Sequence, residues 1–204
     1  MPMYTDSIEF GYSVTGEIPL SERDTLRIGS EFNHYRLDDW WPSVGTGMMS
    51  PNDFWNVNNG QRDRLGTFAE WEAEWTSKLT TLLGVRNDMV WMDTDDVQGY
   101  NGTYAADAAS FNAKDHQKTD ANFDLSALVR YEADASSTYE AGFARKTRSP
   151  NLHERYTWST GAMAMNMNNW FGDGNGYVGD IDLKPEVSHT FSVSADWHDP
   201  ARKA

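Results

Sequence analysis

The chain has no cysteine among its 204 residues. A disulfide framework, a thiolate metal site and a thiol nucleophile are therefore excluded. Basic residues are scarce: 17 Lys and Arg stand against 31 Asp and Glu, a formal net charge of −14. Nucleic acid, which wants a basic face, is not a partner for such a surface. An acidic surface attracts cations and keeps loops solvated. No apolar run approaches the ~20 residues of a membrane-spanning helix. That excludes a helical membrane protein and leaves a membrane β-barrel open, because barrel strands are only half apolar. The first residues, Met1-Pro2-Met3-Tyr4-Thr5-Asp6, lack the basic and apolar regions of an export signal.

What the chain does have is aromatics, with Trp 9, Tyr 9 and Phe 9, and period-two alternation. In 65–75 the odd positions are Leu65, Thr67, Ala69, Trp71, Ala73 and Trp75. Apart from Phe68, the even positions are Gly66, Glu70, Glu72 and Glu74. A helix would scatter these glutamates; a strand puts all three on one face. The same alternation runs through 7–18, 121–132 and 188–197, and more loosely through 25–38, 78–92 and 138–146. These are about seven strands, each near or above the ~9–11 residues of a tilted transmembrane strand. Soluble strands are shorter, about 5–6 residues.

The connections alternate strictly between short and long. Turns are expected at 19–24, at Ser77 and at 134–137; long loops are expected at 39–61, 93–119 and 151–186. In a meander this puts all turns at one end and all long loops at the other, the arrangement of outer-membrane barrels. Glu70, Glu72, Glu74, Asp124, Arg130 and Glu132 would face a wet lumen. Trp71, Trp75, Tyr131, Tyr139 and Trp197 would face lipid. The fold class predicted is all-β: an antiparallel up-and-down meander, a segment of a ~22-strand transmembrane β-barrel. The alternative is a soluble all-β ligand- or glycan-binding module, whose outer faces would also accept these charges.

Two motifs flank the last long loop. Tyr139-Glu-Ala-Gly-Phe-Ala-Arg-Lys-Thr-Arg-Ser-Pro-Asn-Leu-His-Glu154 resembles the strand-to-loop segment of TonB-dependent outer-membrane receptors. Gly179-Asp-Ile-Asp-Leu-Lys-Pro-Glu-Val-Ser188 resembles their Asn-Pro-x-Leu-Lys-Pro-Glu re-entry, with Asp180-Ile181 where Asn-Pro is common. Arg64-Leu-Gly-Thr-Phe-Ala-Glu-Trp71 and Leu83-Gly-Val-Arg-Asn-Asp88 are similar to strands of the same family. Met-rich loops and Asp38-Asp-Trp-Trp-Pro42 look most like its copper-type receptors. The resemblance implies a Gram-negative outer-membrane location, outer-membrane lipid and the TonB complex as partners, and active uptake of a metal ion or metal chelate. The family's plug, TonB box and closing C-terminal strand have no counterpart in 1–204. The chain is therefore expected to be a central receptor piece that cannot form a transport-competent barrel alone, since two sheet edges would stay unpaired in lipid.

Five of the nine methionines, Met48, Met49, Met163, Met165 and Met167, fall in predicted outer loops. Thioether sulfur is soft and suits Cu(I). In an extended segment Met163, Met165 and Met167 would project to one side. His153, and His34 at its strand's outer end, add candidate imidazoles. The plainer reading is that Met fills gaps between loops. Copper would be the transported ligand; no cofactor is expected. If the cargo is instead a siderophore, Trp40, Trp41, Trp158 and Trp170 are the candidate contacts. Asp173-Gly-Asn-Gly176 falls short of a calcium loop, because Tyr177 occupies the fifth position. No His-Glu-x-x-His pair and no phosphate-binding loop are present. The chain is therefore not read as an enzyme.

Overall fold

The structure, a computed structural model, describes residues 3–169 and 172–199. They form one antiparallel sheet of seven strands in the order β1 to β7, each paired with its sequence neighbour. β1 spans Tyr4–Pro19, β2 Asp24–Trp41, β3 Phe54–Thr76, β4 Leu79–Asp93, β5 Lys118–Asp134, β6 Ser137–Arg148 and β7 Glu186–Trp197. The shortest have 12 residues and the longest 23, enough to cross a bilayer on a tilt. β1 and β7 are the two edges, so this arc does not close on itself. Among the described residues no helix is long and apolar enough to cross a membrane.

The faces sort as the alternation predicts. Arg27 lies opposite Glu70 and reaches Glu17, Glu70 and Glu72 at 3.0, 3.1 and 2.7 Å. Further along the same face, Arg64 and Arg86 share Glu31 and Asp88. These ladders span β1 to β4 and hold the lumenal charges in compensated groups. Phe68 is the exception to the polar pattern, and Gly29 makes room for it: a Cβ there would sit 2.3 Å from the Phe68 ring. The other face exposes Ile8, Phe10, Tyr12, Val14, Val85, Leu125, Val129, Phe191 and Val193. A contiguous apolar exterior opposite a charged interior is inverted relative to a soluble sheet, and matches a wall with lipid outside. Trp71–Trp75 and Tyr139–Trp197 pack edge-on near the turn end, while Tyr4, Trp40 and Trp55 line up across β1–β3 near the loop end. These are aromatic belts at two heights on the outer wall.

All three long connections leave from one end. The tight turns are closed by side chains: Ser21 Oγ donates to Asp24 at 2.7 Å, and Asp134 accepts from Ser136 N at 2.8 Å. The 39–61 loop expectation needs correction. β2 runs to Trp41 and β3 starts at Phe54, pairing Trp40 with Trp55 and Trp41 with Phe54. The Asn/Gly-rich stretch 56–60 reads as loop because it carries a bulge. Asn59 is left-handed at φ 49°, and the register shifts between Leu37 and Asp39 and again at Trp40. The loops also contain helices that alternation does not reveal: α1 Ala105–Asn112, α2 Leu152–Tyr156 and α3 Ala162–Met167.

The inverted faces generate a direct test. Val85→Arg, on the apolar face, should cost about 2–4 kcal/mol in a bilayer-based unfolding titration if it lies near the midplane. Thr190→Arg, on the polar face of β7, should be near neutral in the same titration.

Candidate metal-capture site in the loop layer

The loop ends of the strands turn apolar on the lumenal face. Leu37, Trp41, Phe54, Val57, Val90 and Met92 are buried there, under Tyr100, Phe111, Leu152, Tyr156, Trp158 and Ile181 from the connections. Phe54 is the hub. It stacks on Trp158 at 4.9 Å and 10°, and meets Trp41, Tyr100 and Tyr104 at 5.0, 5.5 and 5.1 Å. A buried Trp must place its N–H, and Trp158 Nε1 donates to Trp55 O at 2.7 Å. Tyr156 OH donates to His116 O at 2.8 Å. Burial pushes the Tyr156 phenol up, and pushes Tyr100 up to about 12, so both stay protonated.

The 149–185 loop is fixed onto this core at several points. Asn151 opens α2 with a capping box: its side chain accepts from Glu154 N, and the Glu154 carboxylate accepts from Asn151 N at 2.8 Å. The Arg148 guanidinium grips the same carboxylate at 2.9 and 3.0 Å. Arg155, 3% exposed, donates through Nη2 to both oxygens of Asp120 at 3.1 Å and to Leu183 O at 2.7 Å. The return leg packs backbone to backbone, with Gly179 N donating to Thr157 O at 2.7 Å. A Cβ on Gly179 would stand 2.7 Å from that carbonyl oxygen, so only glycine fits.

A polar knot sits inside the layer. Asp39, fully buried, accepts from Asn56 Nδ2 at 2.8 Å and from Thr5 Oγ1 at 3.2 Å. Asn56 also donates to Asn168, the C-cap of α3, at 2.9 Å. His153 Nε2 lies 3.2 Å from Asp39 Oδ2. A proton on Nε2 donates to this carboxylate and leaves Nδ1 with its lone pair, which no described residue engages. A carboxylate behind an imidazole is the usual support for a metal-binding histidine.

The sequence candidates are distributed as follows. Met49, Met163 and Met167 are half-buried and pack on the aromatic core. Met165 is half-buried elsewhere on α3, and Met48 is 85% exposed. The extended arrangement expected for 163–167 is corrected: the segment is helical, so Met163 and Met167, one turn apart, share a face and Met165 does not. His34 faces the outer wall, with Nδ1 2.5 Å from Asp63 and its ring against Phe10. Trp41 and Trp158 are consumed by the core, and Trp40 joins the outer aromatic belt. Trp170 lies outside the described residues. Among the described residues no group of three or more His, Asp or Glu could hold a metal ion, so a metal here would rest on sulfur. Asp39 lies in the Asp38-Asp-Trp-Trp-Pro42 segment but was given no role by sequence, and Asn56 and Asn168 were not singled out: the Asn-rich bulge hid the first and the cap role the second.

Strand length, inverted faces and one-ended loops define the wall of a transmembrane β-barrel. The chain belongs to the TonB-dependent receptors: the family model described as "TonB dependent receptor-like, beta-barrel" matches residues 3–203. These receptors are outer-membrane transport barrels of Gram-negative bacteria. Among solved structures the chain is similar to "Copper transporter OprC", with a TM-score of 0.69 at 14% identity. The match covers 97% of this chain and 28% of that one, so this chain spans under a third of that structure's length. No curated protein matches. The soluble glycan-module alternative falls with the family assignment.

Two outcomes follow from the loop anchors. Arg155→Met leaves Asp120 buried without its cation and should cost about 3–5 kcal/mol, seen as faster hydrogen exchange across 152–158. Burial raises the Glu154 pKa, but the bonds from Arg148 and Asn151 N outweigh it, and the net shift is downward. Its stabilisation is therefore complete above the ordinary value of 4.5 and is lost as pH falls through the lowered one. Glu154→Gln should flatten the loss of α2 protection seen in an acid titration.

Proposed function

We propose that this chain forms part of the wall and outer mouth of an outer-membrane receptor that captures copper and passes it inward with TonB energy coupling. On this reading 1–204 is an arc of a larger barrel, with outer-membrane lipid against its apolar face. The supporting observation is the placement of soft donors. Met49, Met163 and Met167 pack on one buried cluster, and His153, braced by Asp39, is joined through Asn56 to Asn168 at the end of α3. Thioether and neutral imidazole suit Cu(I) and disfavour hard cations. The likeness to a copper transporter agrees with this cargo.

A siderophore cargo is supported less well. Two of its aromatic contacts, Trp41 and Trp158, are spent in the loop core, and Trp40 is on the outer wall. Transport is the reading the chain supports.

Cu(I) titration of the receptor tests this. Replacing Met49, Met163 and Met167 with Leu should weaken affinity at least about tenfold, as loss of principal ligands does. Met48→Leu should change little, because its side chain stands clear of the cluster. Unchanged affinity and uptake in the triple variant would remove the methionine site.

A further inference from the structure

Below the loop core, on the lumenal face, lies a cavity of about 380 Å³. Five charged side chains line it: Arg62, Arg64, Arg148, Glu9 and Asp88. Four of the five have partners nearby. Glu9 accepts from Asn33 at 2.6 Å, and Asp88 is held by Arg64 and Arg86. Arg64 also holds Glu31, and Arg148 holds Glu154 and Glu186. Arg62 differs. Among the described residues nothing hydrogen-bonds or ion-pairs with its guanidinium, and its Nε is buried. Arg64 and Arg155 repel it and Asp120 and Asp88 attract it, none of them hydrogen-bonded to it. Arg62 is therefore the one cavity cation without a direct partner among the described residues.

A second group in the same cavity is also incomplete. Asn122 is 5% exposed; its Nδ2 donates to Ser149 Oγ at 2.8 Å, and its Oδ1 is buried and unpaired. A half-turn of the amide exchanges its ends, so it can present an N–H donor to the cavity. Leaving such groups unpaired is costly, and a native cavity normally supplies their partner.

We propose that this cavity is a carboxylate site, with Arg62 as its cation and the Asn122 amide as its second contact. A guanidinium without a direct partner matches one carboxylate. A phosphate dianion would be repelled by Glu9 and Asp88. A guanidinium edge accepts a carboxylate through two parallel N–H bonds. The carboxylate has two possible sources: a free small molecule in the lumen, or an acidic side chain of another segment of the receptor. The site is separate from the methionine cluster and does not depend on copper as the cargo.

The test is thermal unfolding of the intact receptor in acetate and in chloride at matched ionic strength, for wild type, Arg62→Met and Arg62→Lys. A free carboxylate site gives a higher Tm in acetate for wild type, a shift that Arg62→Met abolishes. An internal carboxylate gives no acetate shift, a lower Tm for Arg62→Met, and partial recovery with Arg62→Lys. An Arg62 that holds nothing gives no acetate shift and an unchanged or raised Tm for Arg62→Met, because a partly desolvated cation has been removed. That last outcome overturns the proposal. A stabilising shift in inorganic phosphate, absent in acetate, would also overturn it.

Discussion

In lipid no water is available to backbone N–H and C=O groups, so each must find a partner within the protein. The rest of this structure follows from that constraint. Six antiparallel interfaces satisfy the interior of the sheet, and only β1 and β7 present open ladders. A strand that must cross the hydrocarbon cannot stop short, which sets the lengths. A meander of such strands has only two ends, which sets where the loops go. The side chains then divide by solvent. The face toward lipid carries Val85, Leu125 and Val193 without cost, and the face toward water can keep Arg27 ionised among three carboxylates.

Past the level of lipid the constraint relaxes, and the protein changes its mode of packing. The polar lumenal face becomes apolar at Leu37, Val57, Val90 and Met92, and the connections fold inward over it. This is a soluble-type core built on the rim of a membrane protein. A fully buried aromatic of this kind contributes about 1.5–3 kcal/mol from area alone. Phe54, Tyr100, Tyr156 and Trp41 together therefore give the loops a folding drive of their own. The acidic composition has a place here too: Asp39 and Asp120 are buried and satisfied as anchors for His153 and Arg155.

The wall was legible in the sequence because its signal is periodic and repeated. Glu70, Glu72 and Glu74 alternating with Trp71 and Trp75 can be read without knowing any neighbour. The alternation of short and long connections depends only on counting. The first part of β3 was not legible, since Asn56, Asn58, Asn59 and Gly60 carry turn chemistry, and here that chemistry makes a bulge inside a strand. The loop helices were hidden for another reason. α2 and α3 are one or two turns long, too short for a 3.6-residue period to show, and both are held by tertiary packing. The methionine spacing misled in the same way: residues two apart share a side in a strand and separate on a helix, so Met163 and Met167 are the pair that meets one face. Trp41 and Trp158 looked available because aromatics in loops suggest ligands, and burial is not a property a sequence prints.

The position of the polar knot says which part of the mouth can move. Swinging α2 away from the wall would break His153 from Asp39, Trp158 from Trp55 O and Arg155 from Asp120 together. The last of these leaves a buried carboxylate uncompensated, which alone is severe. The α2–α3 side of the loop is therefore built as a fixed platform, and Met163 and Met167 pack on it. The tip at 172–176 is the opposite: exposed throughout, with Gly172 and Gly174 at positive φ and Asp173 bonded only to near neighbours in sequence. On the proposed copper reading, donors placed in advance on the platform lose little freedom on binding.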